Sequence, residues 1–319
     1  MITTIAGGVG AARMLRCLLA GFPSEDHRAV VNVADDEVLH GLHISPDLDT
    51  ITYTLAGATD DARGWGLANE TWRAMESLQT YCASSDRRDL GWFNLGDADL
   101  GTHLYRTSRL LEGATLEAVT EEISSRWQLS VRLIPATNDQ LRTRLRTAEG
   151  AELSFQEYFV REQHGVPVAE VVIEGATDAE ATPSALQSIM DADVVVIAPS
   201  NPIVSIGPVR AIQAVEVALR AARSKTVAIS PIIGGAALKG PADRLLRELG
   251  HEVSPVGIAR IYREIASVLV IDTADADCAA AVEAEGMRCV VTGTIMSEPT
   301  VAQTLGATVI QSILGEPSR

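Results

Sequence analysis

The stretch from residue 2 to residue 54 constrains the fold more than any other part of the chain. It reads ITTIAGGVGAARMLRCLLAGF and then, after a short polar link, AVVNVADDEVLHGLHISPDLDTITYTL. A short apolar run, a glycine-rich turn and an amphipathic segment come first. A second apolar run follows and ends in Asp35 and Asp36. Apolar runs of this length bounded by glycine predict strands, and the spacing of Met14, Leu15, Leu18 and Leu19 predicts a helix between them. The unit is a strand, a turn and a helix, followed by a strand tipped with carboxylates.

Gly7, Gly8 and Gly10 lie where the first strand gives way to the helix. Glycine lets the backbone adopt positive φ and approach a ligand closely. N–H groups at the start of a helix face an anion favourably. The turn matches neither the dinucleotide fingerprint G-x-G-x-x-G nor the P-loop pattern. A turn that simply reverses the chain is the alternative.

Asp35, Asp36, Asp47 and Asp49 fall close together in sequence, beside His40 and His43. Clustered carboxylates repel one another unless a cation or a proton relieves them. Mg²⁺ takes one or two such ligands together with substrate phosphates. The competing explanation is a solvated acidic loop in which Asp47 caps the next helix.

Downstream, apolar runs alternate with amphipathic segments from residue 193 to the C-terminus: DVVVIAPS, VRAIQAVEVALRAARS, TVAISPI, PADRLLRELG, VLVIDTAD and onward. That alternation predicts an α/β fold, a doubly wound, mostly parallel Rossmann-like sheet. Ligands bind such sheets beyond the carboxyl ends of the strands. The glycine turn, Asp35–Asp36, Ser200-Asn201-Pro202 and Ser230-Pro231 all fall there. Residues 67–81 predict a helix capped by Asn69. Segments 131–137, 141–148, 152–162 and 168–175 alternate in an antiparallel manner. The expected division is a core of residues 1–111 and 176–319 with a helix-and-strand insertion at 112–175.

A net charge of −16 argues against non-specific nucleic-acid binding, which needs a basic face. Only Lys225 and Lys239 are lysines, so positive charge is chiefly arginine, suited to bidentate phosphate contact. Cys17, Cys82, Cys278 and Cys289 form no CxxC pair, which favours reduced thiols in a cytoplasmic protein. No apolar stretch is long enough to span a bilayer, so no membrane partner is expected. The N-terminus lacks the basic region of a signal peptide.

Several blocks together resemble one family: AGGVGAARMLRCL, VNVADDEVLHGLHISPDLDTITYTL, RGWG at 63–66, WFNLGDADLGTHLYRT at 92–107, APSNPIVSIGP at 198–208 and SPIIGGAALKGPAD at 230–243. In this order they resemble the CofD/FbiA family, the 2-phospho-L-lactate (or phosphoenolpyruvate) transferases of coenzyme F420 biosynthesis. The resemblance implies an Mg²⁺-dependent transfer from lactyl- or enolpyruvyl-diphospho-guanosine to a hydroxyl of the deazaflavin Fo, releasing GMP, and a homodimer. It implies Asp49 or Asp36 as the catalytic group and Asp35, Asp36 and Asp49 as metal ligands. Gly7, Gly8, Gly10, Arg13, Asp97, Ser200, Asn201 and Lys239 are the implied binding residues. Asn94 departs from the family, whose archaeal members tend to carry Arg or Lys there; its side-chain amide, or Arg87, Arg88 or Arg106, would then make that contact, or the departure marks a different subgroup. The alternative is a YvcK-like nucleotide-sugar-binding regulator, which shares the glycine turn and acidic strand but not PDLDT, RGWG or LGDADLGTH.

Overall fold

The computed structural model describes residues 1–315 except Ser24, Asp61, Arg88 and Asp89. The chain opens with strand β1 (Ile2–Ala6), helix α1 (Gly8–Gly21) and strand β2 (His27–Val31). A hairpin of β3 (Glu37–Leu39) and β4 (Leu42–Ile44) leads into α2 (Pro46–Leu55). Helices α3 (Arg73–Ala83), α4 (Asp97–Leu111) and α5 (Leu116–Arg126) precede β5 (Val131–Pro135). Then come β6 (Arg142–Thr147), β7 (Glu152–Ser154), β8 (Val168–Glu174), α6 (Pro183–Asp191), β9 (Val194–Ile197), α7 (Gly207–Ala211), α8 (Gln213–Ala221) and β10 (Thr226–Ile229). A second small hairpin, β11 (Ile232–Ile233) and β12 (Ala236–Ala237), precedes α9 (Ala242–Glu248) and α10 (Pro255–Tyr262). The chain finishes with β13 (Val268–Asp272), α11 (Ala279–Ala284), β14 (Arg288–Thr292) and α12 (Pro299–Leu314).

Seven strands form one parallel sheet in the order β14-β13-β10-β9-β1-β2-β5. The chain winds outward from β1 to β2 and β5, then returns to build the other half from β9 onward. The strand order therefore reverses between β1 and β9, and the loops leaving those two strands diverge to open a crevice. Helices cover both faces, which explains why the central strands are apolar throughout. Ile5, Val195, Ile197 and Leu269 enter a core with α6, α8 and α10. Their neighbours Ala6, Val194, Val196 and Val270 enter a second core with α1, α2 and α12.

The inserted segment is smaller than expected. Val131–Pro135 pairs in parallel with β2 as the sheet's edge strand. It belongs to the core, because its buried Val131, Leu133 and Ile134 complete the two facial layers. The insertion proper is the antiparallel sheet β7-β6-β8. Residues 157–161, expected to continue a strand, form a π-helical turn that buries Tyr158 against Leu145 and Leu245. The 67–81 helix begins only at Arg73, and Asn69 adopts positive φ, 59°, in the loop before it.

Candidate functional site

A cavity of about 690 Å³ lies over the carboxyl ends of β1 and β9, at the point where the strand order reverses. Gly7, Gly8, Gly10, Arg13, Asp35, Asp49, Ser200, Asn201 and Lys239 all line it, as does Asn94. Sequence-distant motifs thus converge through the parallel sheet, which brings the ends of β1, β2 and β9 side by side.

The floor is built by close backbone approach. A Cβ on Gly10 would stand 2.3 Å from the Pro199 carbonyl oxygen, so the glycine turn and the loop after β9 fit only without a side chain there. Gly8 has φ of 70°, the left-handed region that favours glycine. The first helical turn of α1 does not face open space. The carboxylate of Asp47 lies against it: a Cβ on Gly7 would be 3.0 Å from Asp47 Oδ2, and the Gly8 N–H favours the charged carboxylate.

Asp47 belongs to a buried trio. Asn32 Nδ2 donates to Asp47 Oδ2 at 2.9 Å and to Asp35 Oδ2 at 3.2 Å. Burial, with Asp36 nearby, pushes the Asp47 carboxyl up to about 7. Burial, and then the charges of Asp47 and Asp36, push Asp35 well above the usual carboxylate range. Thr143 eases that shift, yet neither its hydroxyl nor Asp35 Oδ1 has a hydrogen-bond partner of normal geometry. Two more buried polar atoms at the cavity lack partners: Ser200 Oγ and Asn201 Nδ2. Asn201 Oδ1 is already used, accepting from Ile203 N at 2.9 Å, so its amide N–H groups are left for a ligand.

The other carboxylates are engaged. Asp49 takes a two-pronged contact from the buried guanidinium of Arg106, Nη1 to Oδ2 at 3.1 Å and Nη2 to Oδ1. His103 Nδ1 is 3.2 Å from Arg106 Nη1, and its Nε2 is 3.3 Å from Asp99 Oδ2. Tyr53 donates to Asp99 Oδ1 at 2.6 Å. Burial works against the charge on Asp99, but the hydrogen bond and charge of His103 outweigh it and hold its pKa below the ordinary value. Asp99, His103 and Arg106 share one face of α4 at i, i+4 and i, i+7 spacing, which is why one helix carries the whole row. Asp36 Oδ2 accepts from Ser45 Oγ at 2.7 Å and from His43 Nε2 at 3.0 Å, and Asp36 does not reach the cavity wall.

Asp49 and Asp36 hold neighbouring elements together, and Asp49 is already neutralised by Arg106. Among the described residues no three His, Cys, Asp or Glu side chains form a cluster that could hold a metal ion, so Asp35, Asp36 and Asp49 are not a preformed cage. Asp97 does not line the cavity. Its oxygens accept from Thr71 Oγ1, Arg73 N and Ala74 N, making it the cap of α3. Glu70 in turn accepts from Ala98 N and Asp99 N at 2.8 Å and caps α4. Arg106 is buried on Asp49 and is not part of the cavity lining; Arg88 lies outside the described residues. Asn94 sits exposed at the rim.

The cavity also has an aromatic and apolar lining. Trp65, Phe93, Phe155, Phe159 and Leu238 line it. Phe155 and Phe159 stack with centroids 5.5 Å apart, and Arg63 lies 5.5 Å from the Trp65 ring. Phe155 and Phe159 come from the insertion. Sequence reasoning missed them, along with Asn32 and the importance of Asp47. Asp47 had a signal in its proximity to Asp49, whereas Phe155 and Phe159 had only a broken alternation.

A family model described as 2-phospho-L-lactate transferase CofD matches residues 2–311. A phosphoenolpyruvate transferase of Kitasatospora aureofaciens is 40% identical over 293 residues, covering 90% of each chain. One from Nocardia farcinica is 42% identical over 277 residues, 85% of this chain and 82% of the other. The crystal structure of a UPF0052 family member from Bacillus halodurans matches with a TM-score of 0.60 at 16% identity, over 97% of this chain and 98% of that one, which shows a shared fold alone. The family model spans nearly the whole chain, and its relatives carry transferase names: the chain belongs to the CofD family of transferases.

Proposed function

We propose that this transferase moves a phospho-enolpyruvyl or phospho-lactyl group from enolpyruvyl- or lactyl-diphospho-guanosine to the ribityl hydroxyl of Fo, in the biosynthesis of coenzyme F420. The names of the relatives favour the enolpyruvyl donor. The observation that carries the reading is the mixed lining of the cavity. Buried unpaired donors, Ser200 Oγ and Asn201 Nδ2, and the cations Arg13 and Lys239 suit an anionic diphosphate. Aromatic rings in the same lining, Phe155 and Phe159 among them, suit a planar deazaflavin.

The acceptor hydroxyl attacks the phosphorus that bears the three-carbon acid. The new P–O bond forms as the bond to the guanylyl phosphate breaks, GMP leaves, and the hydroxyl proton is released. Such transfer relies on positioning and charge neutralisation more than on covalent participation by the protein. Mg²⁺ fits this site through Asp35 and Asp47, two carboxylates brought together at the cavity, with Asp35 Oδ1 unpaired. When bound it neutralises charge on the diphosphate. Arg13 and Lys239 add positive charge at the mouth, while Arg106 keeps Asp49 from adding to the repulsion.

The test is a mass-spectrometric assay of purified protein with Fo, Mg²⁺ and each guanylyl donor, generated by a coupled guanylyltransferase. Product from the enolpyruvyl donor supports the reading as stated. Product from the lactyl donor alone changes the donor. No product from either, in a folded protein, overturns it.

A further inference from the structure

Asn32 stands at the end of β2 and is 1% exposed, between two carboxylates that come from different elements. Asp35 belongs to the loop leaving β2, and Asp47 to the first turn of α2. The side-chain amide has one orientation consistent with its surroundings. Its Oδ1 accepts from the Ala34 backbone N–H at 2.9 Å, which leaves both N–H groups of Nδ2 for the carboxylates at 3.2 and 2.9 Å. Each carboxylate receives one of these donors on its Oδ2. Asp35 is thereby turned so that Oδ1 stays without a partner.

We infer that Asn32 is a positioning residue that holds the Asp35 and Asp47 carboxylates in a fixed mutual geometry and so sets the divalent-cation affinity of the site. The inference rests on the reading that these two carboxylates take Mg²⁺. Two buried like charges repel, and the shared amide is the group that bonds to both. Asp47 also faces the glycine turn, so the amide connects that turn to the β2 loop through a single side chain. Groups that orient metal ligands from behind affect metal affinity by about 10–100-fold.

The experiment measures Mn²⁺ binding by electron paramagnetic resonance on substrate-free protein, alongside the Mg²⁺ dependence of transfer. Asn32→Ala removes both donors and Asn32→Ser retains one, so a folding failure of the first leaves the second. Thermal unfolding in EDTA checks that each variant is folded. The expected result is Mn²⁺ affinity about 10–100-fold weaker in Asn32→Ala, intermediate in Asn32→Ser, with a higher Mg²⁺ requirement and a smaller change in kcat at saturating Mg²⁺. Folded variants that bind Mn²⁺ and use Mg²⁺ like the wild type overturn the role of Asn32. Turnover by the wild type that persists in EDTA overturns the metal reading itself.

Discussion

Arg106 and Asp49 form a buried, two-pronged ion pair that ties α4 to α2 at the cavity wall. Both side chains are nearly inaccessible, with relative exposures of 2% and 8%. The carboxylate that motif order marks as a catalytic group thus also joins two helices in this fold. The charge pair also holds His103 and, through it, Asp99 in place at the cavity wall.

Removing one member of that pair leaves the other buried and uncompensated. Arg106→Met is expected to destabilise the protein by about 3–5 kcal/mol. Asp49→Asn follows in the same direction with a smaller loss, since one neutral oxygen still accepts from the guanidinium. The double variant Asp49→Leu/Arg106→Met recovers most of the stability. Urea unfolding of the three proteins checks this, and a double variant no better than Arg106→Met alone would refute it.

Asp97 separates capping from binding. Asp97→Ala removes the acceptor for the Arg73 and Ala74 N–H groups and should cost about 1 kcal/mol, the usual worth of such a cap. The KM values for both substrates should stay unchanged. A raised KM with normal stability would return Asp97 to the binding surface.

The Asp47 carboxyl links stability to pH. Its folded pKa is about 7 against an ordinary value of 3.8, so the folded protein keeps a proton that the unfolded chain releases. Stability is greatest below that window and falls as pH rises through it. Asp35, shifted in the same direction, adds to the slope. Thermal melts from pH 5 to pH 8 in EDTA should show a falling Tm, with a shallower slope in Asp47→Asn. A Tm that rises across this range in the wild type contradicts the assignment.

Gly10 tests the close approach of the two loops. A methyl group there would meet the Pro199 carbonyl oxygen at 2.3 Å, which the backbone relieves only by moving apart. Gly10→Ala should cost about 1–3 kcal/mol and weaken donor binding, because the Ser200 and Asn201 loop shifts with it. Thermal unfolding and GDP titration read the two effects separately.

Phe159 reports on the aromatic lining. It is 38% exposed, so Phe159→Ala should leave stability nearly unchanged. Loss of a stacking face worth about 1.4 kcal/mol raises the KM for Fo about tenfold, with the donor KM unaltered. An unchanged KM for Fo would place the deazaflavin elsewhere.

The sequence by itself determined the wound α/β core and which loops would meet over the strands' carboxyl ends. Apolar runs buried on both faces leave few alternatives to a parallel sheet, and glycines or acids just after a run mark a strand's carboxyl end. Gly7, Gly8, Gly10, Ser200 and Asn201 were legible as strand-end residues for that reason, and they line the cavity. The tertiary structure decided how the carboxylates divide their work. Asp35, Asp36, Asp47 and Asp49 look alike in a string of letters, since charge and spacing are nearly the same for all four. Only folding brings Arg106 onto Asp49, His43 and Ser45 onto Asp36, and Asn32 between Asp35 and Asp47. Those partners come from other elements, at sequence separations that periodicity does not register. The same holds for Val131–Pro135, whose side-chain pattern suits either kind of sheet and whose pairing with β2 settled the matter. A carboxylate's role follows from burial and from what it faces, and both are properties of the packed chain.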